Sequence, residues 1–124
     1  GRYSLRYQTI LRTKRINMSV LLEFAMFPTS DDCRDGASVS EYVSRIIDMI
    51  DQSGAAYQLT PMGTIVETET MREALDIVEK SYEALGDCER VFSSLKFDIR
   101  RGKSNRLKTK IASVEREIGR EVKK

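Results

Sequence analysis

Apolar and polar residues alternate along two stretches of the chain, one near its start and one in its final third. In residues 19–27 one alternating set, Val20, Leu22, Phe24 and Met26, is entirely apolar, and Pro28 ends the run. The same period of two recurs in residues 90–99. Successive side chains of a strand point to opposite faces, so this period predicts two half-buried β-strands.

Three other stretches repeat their apolar residues every three or four positions, which is the period of an amphipathic helix. They span residues 38–54, 70–86 and 107–122. The first two begin with a serine or threonine followed three residues later by glutamate, and each ends at a glycine. These are the start and stop signals of a capped helix, so the pattern predicts three helices.

Two short extended runs, residues 57–61 and 64–68, lie on either side of Met62 and Gly63 and predict a hairpin with a disturbed tip or a bulge. The complete order is βαββαβ followed by α. Because each βαβ unit crosses over right-handedly, this order predicts a ferredoxin-like α+β sandwich with an additional C-terminal helix. The antiparallel sheet should run in the order 4-1-3-2, with the first two helices on one face.

The sheet face opposite these two helices, called the second face below, carries apolar residues that need cover. Strands one and four place Leu21, Ala25, Phe27 and Phe92 there. We expect a homo-oligomer, a dimer or a dimer of dimers, assembled through this face. Glu23 and Lys96 fall on neighbouring strands of the same face. They form either a cross-strand pair in that interface or the polar anchors of a ligand pocket.

Composition narrows the function. The 124 residues include no histidine, which removes the commonest general base and a common metal ligand, so we expect no enzymatic activity, no metal and no cofactor. No apolar run approaches the roughly 20 residues of a membrane span, and the expected location is the cytoplasm. Cys33 and Cys88 lack metal-ligand spacing; a reducing compartment predicts free thiols, with a disulfide as the alternative.

Positive charge is concentrated in two segments. Residues 1–17 carry five basic residues and no acid, so removing them from the net charge of +2 leaves residues 18–124 at −3. This extension is interpreted as a leader or expression remnant preceding a single domain over 18–124, with a native basic arm as the alternative. The second segment, residues 100–110, is interpreted as a solvated helix entry rather than a nucleic-acid surface, because no aromatic residue interrupts it.

Four patches, taken together, carry a family resemblance: LTPMGTIVE at 59–67, SVSEYV at 38–43, KFDIRR at 96–101 and KIASVE at 110–115. In order and spacing they resemble the small thiamine-binding protein family, formerly an uncharacterised domain family, over roughly residues 18–118. The resemblance implies non-catalytic sequestration or sensing of thiamine or its hydroxymethylpyrimidine moiety. The alternative is an interaction module that assembles through the second face without a small ligand.

The expected ligand site lies beside the hairpin opening. A thioether and exposed backbone next to a glycine suit an aminopyrimidine ring, and glycine permits close approach of a ligand. The thiazolium cation needs a carboxylate or an aromatic face, for which Asp98, Glu67 and Tyr42 are candidates. The resemblance adds a serine at the start of helix one. The predicted ligand-binding residues are Ser38, Ser40, Thr60, Met62, Gly63, Thr64 and Asp98.

The hairpin residues and Ser38 also have a purely structural interpretation, since a bulged hairpin and helix capping would use the same residue types. Arg100 and Arg101 are candidates for contacting a phosphate ester of thiamine. Nucleic acid and membrane are not expected partners. The loop 29–37 is longer and more acidic than is typical of the family, so the ligand itself could differ.

Overall fold

Four strands and four helices make up the part of the chain that the computed structural model describes, residues 18–34 and 39–123. Residues 1–17 lie outside it, and so does the prediction made for them. In chain order the elements are β1 (Met18–Pro28), α1 (Asp31–Arg34), α2 (Val39–Ser53), β2 (Ala56–Thr60), β3 (Gly63–Thr68), α3 (Met71–Ala84), β4 (Val91–Arg101) and α4 (Arg106–Ile118).

The strands form one antiparallel sheet in the order β2-β3-β1-β4. Starting from β4, this is the predicted order 4-1-3-2, so the ferredoxin-like α+β arrangement with an extra C-terminal helix is confirmed. One element differs from the prediction. The segment expected to be a polar loop over 29–37 contains the short helix α1, whose first turn carries Asp31 and Asp32.

The core lies between the sheet and the helices α2 and α3. Alternate residues of β1, namely Val20, Leu22, Phe24 and Met26, are all buried on this face. The two helices contribute their apolar stripes to the same cluster, which includes Ile46, Ile50, Ala74, Ile77 and Leu85. The apolar face of β1 and the apolar stripes of α2 and α3 are therefore buried against each other.

The predicted start of α3 and the predicted end of α2 are both observed. The hydroxyl of Thr70 accepts a hydrogen bond from the amide of Glu73 at 3.1 Å and so caps α3. After α2 the chain turns at Gly54, whose φ of 78° lies in the left-handed region that favours glycine. Ser38, the predicted cap of α2, lies outside the described residues.

A buried arginine docks helix α4 against one end of the second face. The guanidinium of Arg106 donates to the Ser19 hydroxyl from Nε at 2.9 Å and to Asp98 Oδ2 from Nη1 at 2.9 Å. Its Nη2 also donates to the carbonyl oxygens of Ser19 and Asp98. Glu67 accepts from the first two amides of the helix, those of Arg106 and Leu107, at 2.8 and 3.1 Å.

Helix α4 covers part of the second face, which was expected to be covered by an oligomer. Leu21 shares a groove with Leu107 and Ile111 of α4, so the chain itself covers that end of the sheet. At the other end Phe27 and Phe92 pack on each other with ring centroids 5.8 Å apart, and Phe92 remains 52% exposed. Only the latter end still lacks cover within the described residues.

The two cysteines correct a sequence-based expectation. Cys33 and Cys88 are joined by a disulfide with a Cα–Cα separation of 5.6 Å, so the prediction of free thiols is wrong. The bond joins α1 to the loop before β4, where two backbone amides also donate to side chains of the first segment. Glu89 donates to Asp32 at 3.0 Å and Arg90 to Ser30 at 3.0 Å. Sequence spacing could not show this, because the pairing depends on how β1 and β4 align.

Candidate functional site

A groove of about 980 Å³ opens between α2 and the β2–β3 hairpin, on the helix-covered face of the sheet. We call it the hairpin groove. It is lined by Phe24, Ala25, Met26, Phe27, Ser40, Val43, Ser44, Ile46, Ile47, Asp48, Asp51, Leu59, Thr60, Pro61, Met62, Gly63 and Thr64. The predicted residues Ser40, Thr60, Met62, Gly63 and Thr64 are thus brought together in one cavity.

The floor of the hairpin groove is apolar except for one hydroxyl. Phe24, Met26 and Ile46 are buried core residues that also line the cavity. Thr64 stands among them at 5% exposure, and no hydrogen bond engages its hydroxyl within the described residues. Its oxygen is still reachable from the cavity, so a ligand bound there can hydrogen-bond to it.

Hydrogen bonds of the Thr60 hydroxyl stabilise the turn of the hairpin. The hydroxyl donates to the carbonyl oxygen of Gly63 at 2.8 Å and accepts from the amides of Met62 and Gly63 at 3.2 and 3.1 Å. The strand register is regular up to the pair Thr60 and Gly63, so the connection is a two-residue turn and not a bulge. Thr60 consequently shapes the groove, while the side chain of Met62, 86% exposed, lies at its rim.

Gly63 permits a close approach of two strands. A Cβ at this position would lie 3.0 Å from the Phe24 carbonyl oxygen of the neighbouring strand β1. The backbone that this glycine admits is that of β1, and its role towards a ligand stays a prediction. A side chain here would disturb the pairing of β1 with β3 as well as the groove.

Two carboxylates on α2 face the hairpin groove and were not singled out by the sequence patterns. Asp48 and Asp51 are one helical turn apart on the side of α2 that also bears Ser40 and Ser44. Asp48 accepts a hydrogen bond from Gln52 at 3.2 Å, and Asp51 accepts one from the Tyr57 hydroxyl at 2.9 Å. The only available signal was their position beside the apolar stripe of α2, which is shared by many surface acids.

The candidate cation partners chosen from the sequence lie elsewhere. Asp98 is on β4, where its carboxylate is paired with Arg106. Glu67 is occupied by Ser19 and by the first amides of α4. Tyr42 is buried, donates its hydroxyl proton to the Cys33 carbonyl and has the Arg45 guanidinium 5.0 Å from its ring centroid. None of the three lines the hairpin groove.

Glu23 and Lys96 are directly opposite each other on β1 and β4, as the topology predicted. Both are exposed, and no ion pair joins them within the described residues. Together with Asp98, Lys110 and apolar residues of α4 they line a smaller groove of about 330 Å³ on the second face. We call it the C-terminal groove.

Arg100 and Arg101 lie at the far end of the sheet from the hairpin groove. Arg101 pairs with Met18, six residues along β1 from Phe24. At the usual rise of a strand this corresponds to about 20 Å. Both arginines are exposed, and the structure does not bring either of them to the hairpin groove.

Burial alone would raise the pKa of Glu67, but the hydrogen bonds from Ser19 and from the amides of Arg106 and Leu107, together with the charge of Arg106, outweigh it. The pKa of this carboxyl is therefore lowered. On β2, the hydrogen bond from the Tyr57 phenol to Asp51, desolvation and the charge of Asp51 raise the pKa of that phenol. Glu67 thus acts as a charged cap for α4, whereas Tyr57 remains a neutral donor to Asp51.

Within residues 18–34 and 39–123, no helix is long and apolar enough to cross a membrane.

A model of the family described as thiamine-binding protein matches residues 22–115. A UPF0045 protein of Mycobacterium bovis is 33% identical over 100 residues, covering 80% of this chain and 94% of its own. A UPF0045 protein of Methanothermobacter thermautotrophicus is 31% identical over 83 residues, covering 65% of this chain and 84% of its own. The match to the family model spans the β2–β3 hairpin, the core helices α2 and α3, and most of α4.

Solved structures share the fold. A hypothetical protein of Methanocaldococcus jannaschii superposes with a TM-score of 0.64 at 31% identity, covering 77% of this chain and 95% of its own. A protein of Thermotoga maritima, proposed to act in thiamine biosynthesis or salvage, superposes with a TM-score of 0.56 at 25% identity, covering 77% and 98% of the two chains.

Proposed function

This chain belongs to the thiamine-binding protein family, and from that premise we propose that it binds thiamine or its hydroxymethylpyrimidine moiety in the hairpin groove without converting it. The observation that carries the proposal is the largely apolar groove, into which the Thr64 hydroxyl opens without a hydrogen-bond partner among the described residues. A flat heteroaromatic ring with hydrogen-bonding edges matches such a cavity.

The lining of the groove supports binding rather than catalysis. Its described residues offer hydroxyls, carboxylates and two thioethers, but no lysine or cysteine. The whole sequence lacks histidine, so the hydroxyls have no imidazole base to activate them. We therefore propose sequestration or sensing of the ligand as the role of the protein.

Two further parts of the proposal concern its setting. We propose that the protein forms a homo-oligomer through the uncovered end of the second face, where Phe27 and Phe92 lie. We also keep the cytoplasm as the proposed location. The Cys33–Cys88 disulfide is an argument against that location, because stable disulfides are rare in reducing compartments. Fractionation combined with thiol labelling of the native protein tests it.

Calorimetric titration with thiamine and with hydroxymethylpyrimidine tests the binding proposal. Thr64→Val removes one hydroxyl at nearly constant volume, and we expect a loss of about 1 kcal/mol, or roughly five-fold in affinity. The matched control is Thr109→Val on the exposed surface of α4, which should bind like the unmodified protein. No heat and no thermal stabilisation at millimolar ligand would contradict the proposal and favour the interaction-module alternative.

A second pair of variants locates the site. If the ligand occupied the C-terminal groove instead, Lys96→Ala would weaken binding and Thr64→Val would not. We expect the opposite result. Gly63 variants are unsuitable for this purpose, because a side chain there meets the backbone of β1 and mixes folding with binding.

A further inference from the structure

The charge of the hairpin groove differs from the charge of the chain. Among the described residues that line it, the ionisable groups are the two carboxylates of Asp48 and Asp51, and no lysine or arginine is present. The nearest basic residue of α2 on the sequence, Arg45, is directed to the Tyr42 ring and to Glu41 at 3.5 Å. The groove is therefore negative although the chain carries a net charge of +2.

The two carboxylates occupy one wall of the cavity, whereas the opposite wall is formed by the hairpin. Asp51 is bridged to this hairpin by the Tyr57 hydroxyl on β2 at 2.9 Å, which fixes the position of its charge. Asp48 lies one turn earlier on the same side of α2. A ring bound against Thr64 would share the cavity with this pair of charges.

Resting on the proposed function, we infer that Asp48 and Asp51 make the hairpin groove selective for the unphosphorylated cation of thiamine over its phosphate esters. The thiazolium ring carries a fixed positive charge, which two nearby carboxylates attract. A phosphate ester adds negative charge that the same carboxylates repel, and no basic side chain among the described lining residues compensates it. The neutral hydroxymethylpyrimidine should be indifferent to both groups.

The test is calorimetric titration of three ligands, thiamine, thiamine diphosphate and hydroxymethylpyrimidine, into the unmodified protein and into Asp48→Asn, Asp51→Asn and the double variant. We expect each single change to weaken thiamine about five-fold and to leave the pyrimidine affinity unchanged. Thiamine diphosphate should bind the unmodified protein at least about ten-fold more weakly than thiamine. In the double variant the affinities for thiamine and thiamine diphosphate should differ less.

Asp76→Asn is the matched control, since Asp76 is an exposed carboxylate on α3 that does not line the hairpin groove. It should leave all three affinities unchanged. Ionic strength supplies an independent readout, because screening weakens an attraction between exposed charges. Thiamine affinity should fall with added salt in the unmodified protein and much less in the double variant, whereas pyrimidine affinity should stay constant.

The outcomes separate this inference from the proposed function. If none of the ligands binds the unmodified protein, the proposed function fails and the inference with it. If thiamine binds but the aspartate variants lose thiamine and pyrimidine equally, the groove is the site and the charge selectivity is overturned. Diphosphate binding as tight as thiamine binding to the unmodified protein would also overturn the selectivity.

Discussion

Arg106 shows how one residue can differ from the pattern that surrounds it. The sequence places it in a run of basic residues over 100–110, yet the structure buries it to 9% exposure while its neighbours Lys108 and Lys110 are exposed. Its guanidinium holds Ser19 and Asp98 together with four hydrogen bonds. The interpretation of the run as a solvated helix entry therefore fits the exposed lysines but not this arginine.

We expect Arg106→Ala to lower the free energy of unfolding by about 2–3 kcal/mol. The variant leaves the Ser19 carbonyl without its charged donor and loosens α4, while Asp98, whose side chain is 71% exposed, can be solvated. Urea denaturation measures the loss. Lys108→Ala, which changes an exposed residue of the same helix, should stay within about 0.5 kcal/mol of the unmodified protein. Equal stability of both variants would contradict the docking role.

Glu67 should make stability depend on pH. Its pKa in the folded protein is lowered below the ordinary 4.5, so its contribution is complete above that value and is lost as the pH falls through the lowered one. Chemical denaturation at pH 7, 4 and 3 should show that the unmodified protein loses more stability on acidification than Glu67→Gln does. Parallel loss in the two proteins would show that other carboxyls account for the acid sensitivity.

The elements follow the sequence closely, but the connections between them do not. Helix α3 begins at Met71, after the Thr70 cap that the capping box predicts. By contrast, the loop expected over 29–37 contains α1, and the disulfide ties this helix to the start of β4 across 55 residues of sequence. Local patterns determine where a helix starts, whereas a covalent link between distant loops depends on the complete fold.

Replacing Cys33 and Cys88 by serine should lower the free energy of unfolding by about 4 kcal/mol. The estimate follows from the entropy of an unfolded chain released from a closed loop of this length. Urea denaturation of the double variant measures it, and the unmodified protein treated with a dithiol reductant should match the variant. If oxidised protein and double variant unfold at the same urea concentration, the bond contributes nothing to stability.

The whole molecule presents an incompletely covered sheet. Helix α4 covers the end of the second face near Leu21, but Phe92 remains half exposed beside Phe27, and Val114 and Ile118 of α4 are exposed to a similar degree. A patch of large apolar side chains of this kind is typical of an interface. The oligomer predicted from sequence stays a prediction, with a smaller surface than the sequence alone indicated.

We expect a dimer or a dimer of dimers at micromolar concentration, and Phe92→Ser should shift it towards the monomer because it removes the exposed aromatic ring of the patch. Light scattering or sedimentation velocity measures the change. Tyr82→Ser is the matched control, since Tyr82 is exposed to 53% on α3, an element of the opposite face. A monodisperse monomer of the unmodified protein would contradict the prediction.

The amino-acid sequence by itself determined the order of the elements, the strand order of the sheet and the family. Hydrophobic period and caps act between residues a few positions apart, and the βαββαβ order with right-handed crossovers then indicates the ferredoxin-like strand order. The hairpin around Met62 could be predicted because the residues that form it are also close together in the sequence. Thr64 was chosen from the hairpin pattern and Ser40 from the family resemblance, and both line the hairpin groove.

Only the tertiary structure decided which distant side chains meet. Asp48 and Asp51 face the hairpin because α2 packs across the sheet, and Ser19, Glu67, Asp98 and Arg106 converge because three strands and a helix end at one place. The partner of Cys33 depends in the same way on the alignment of β1 and β4. Such contacts join residues far apart in the chain, and no period or motif within either segment carries information about the other.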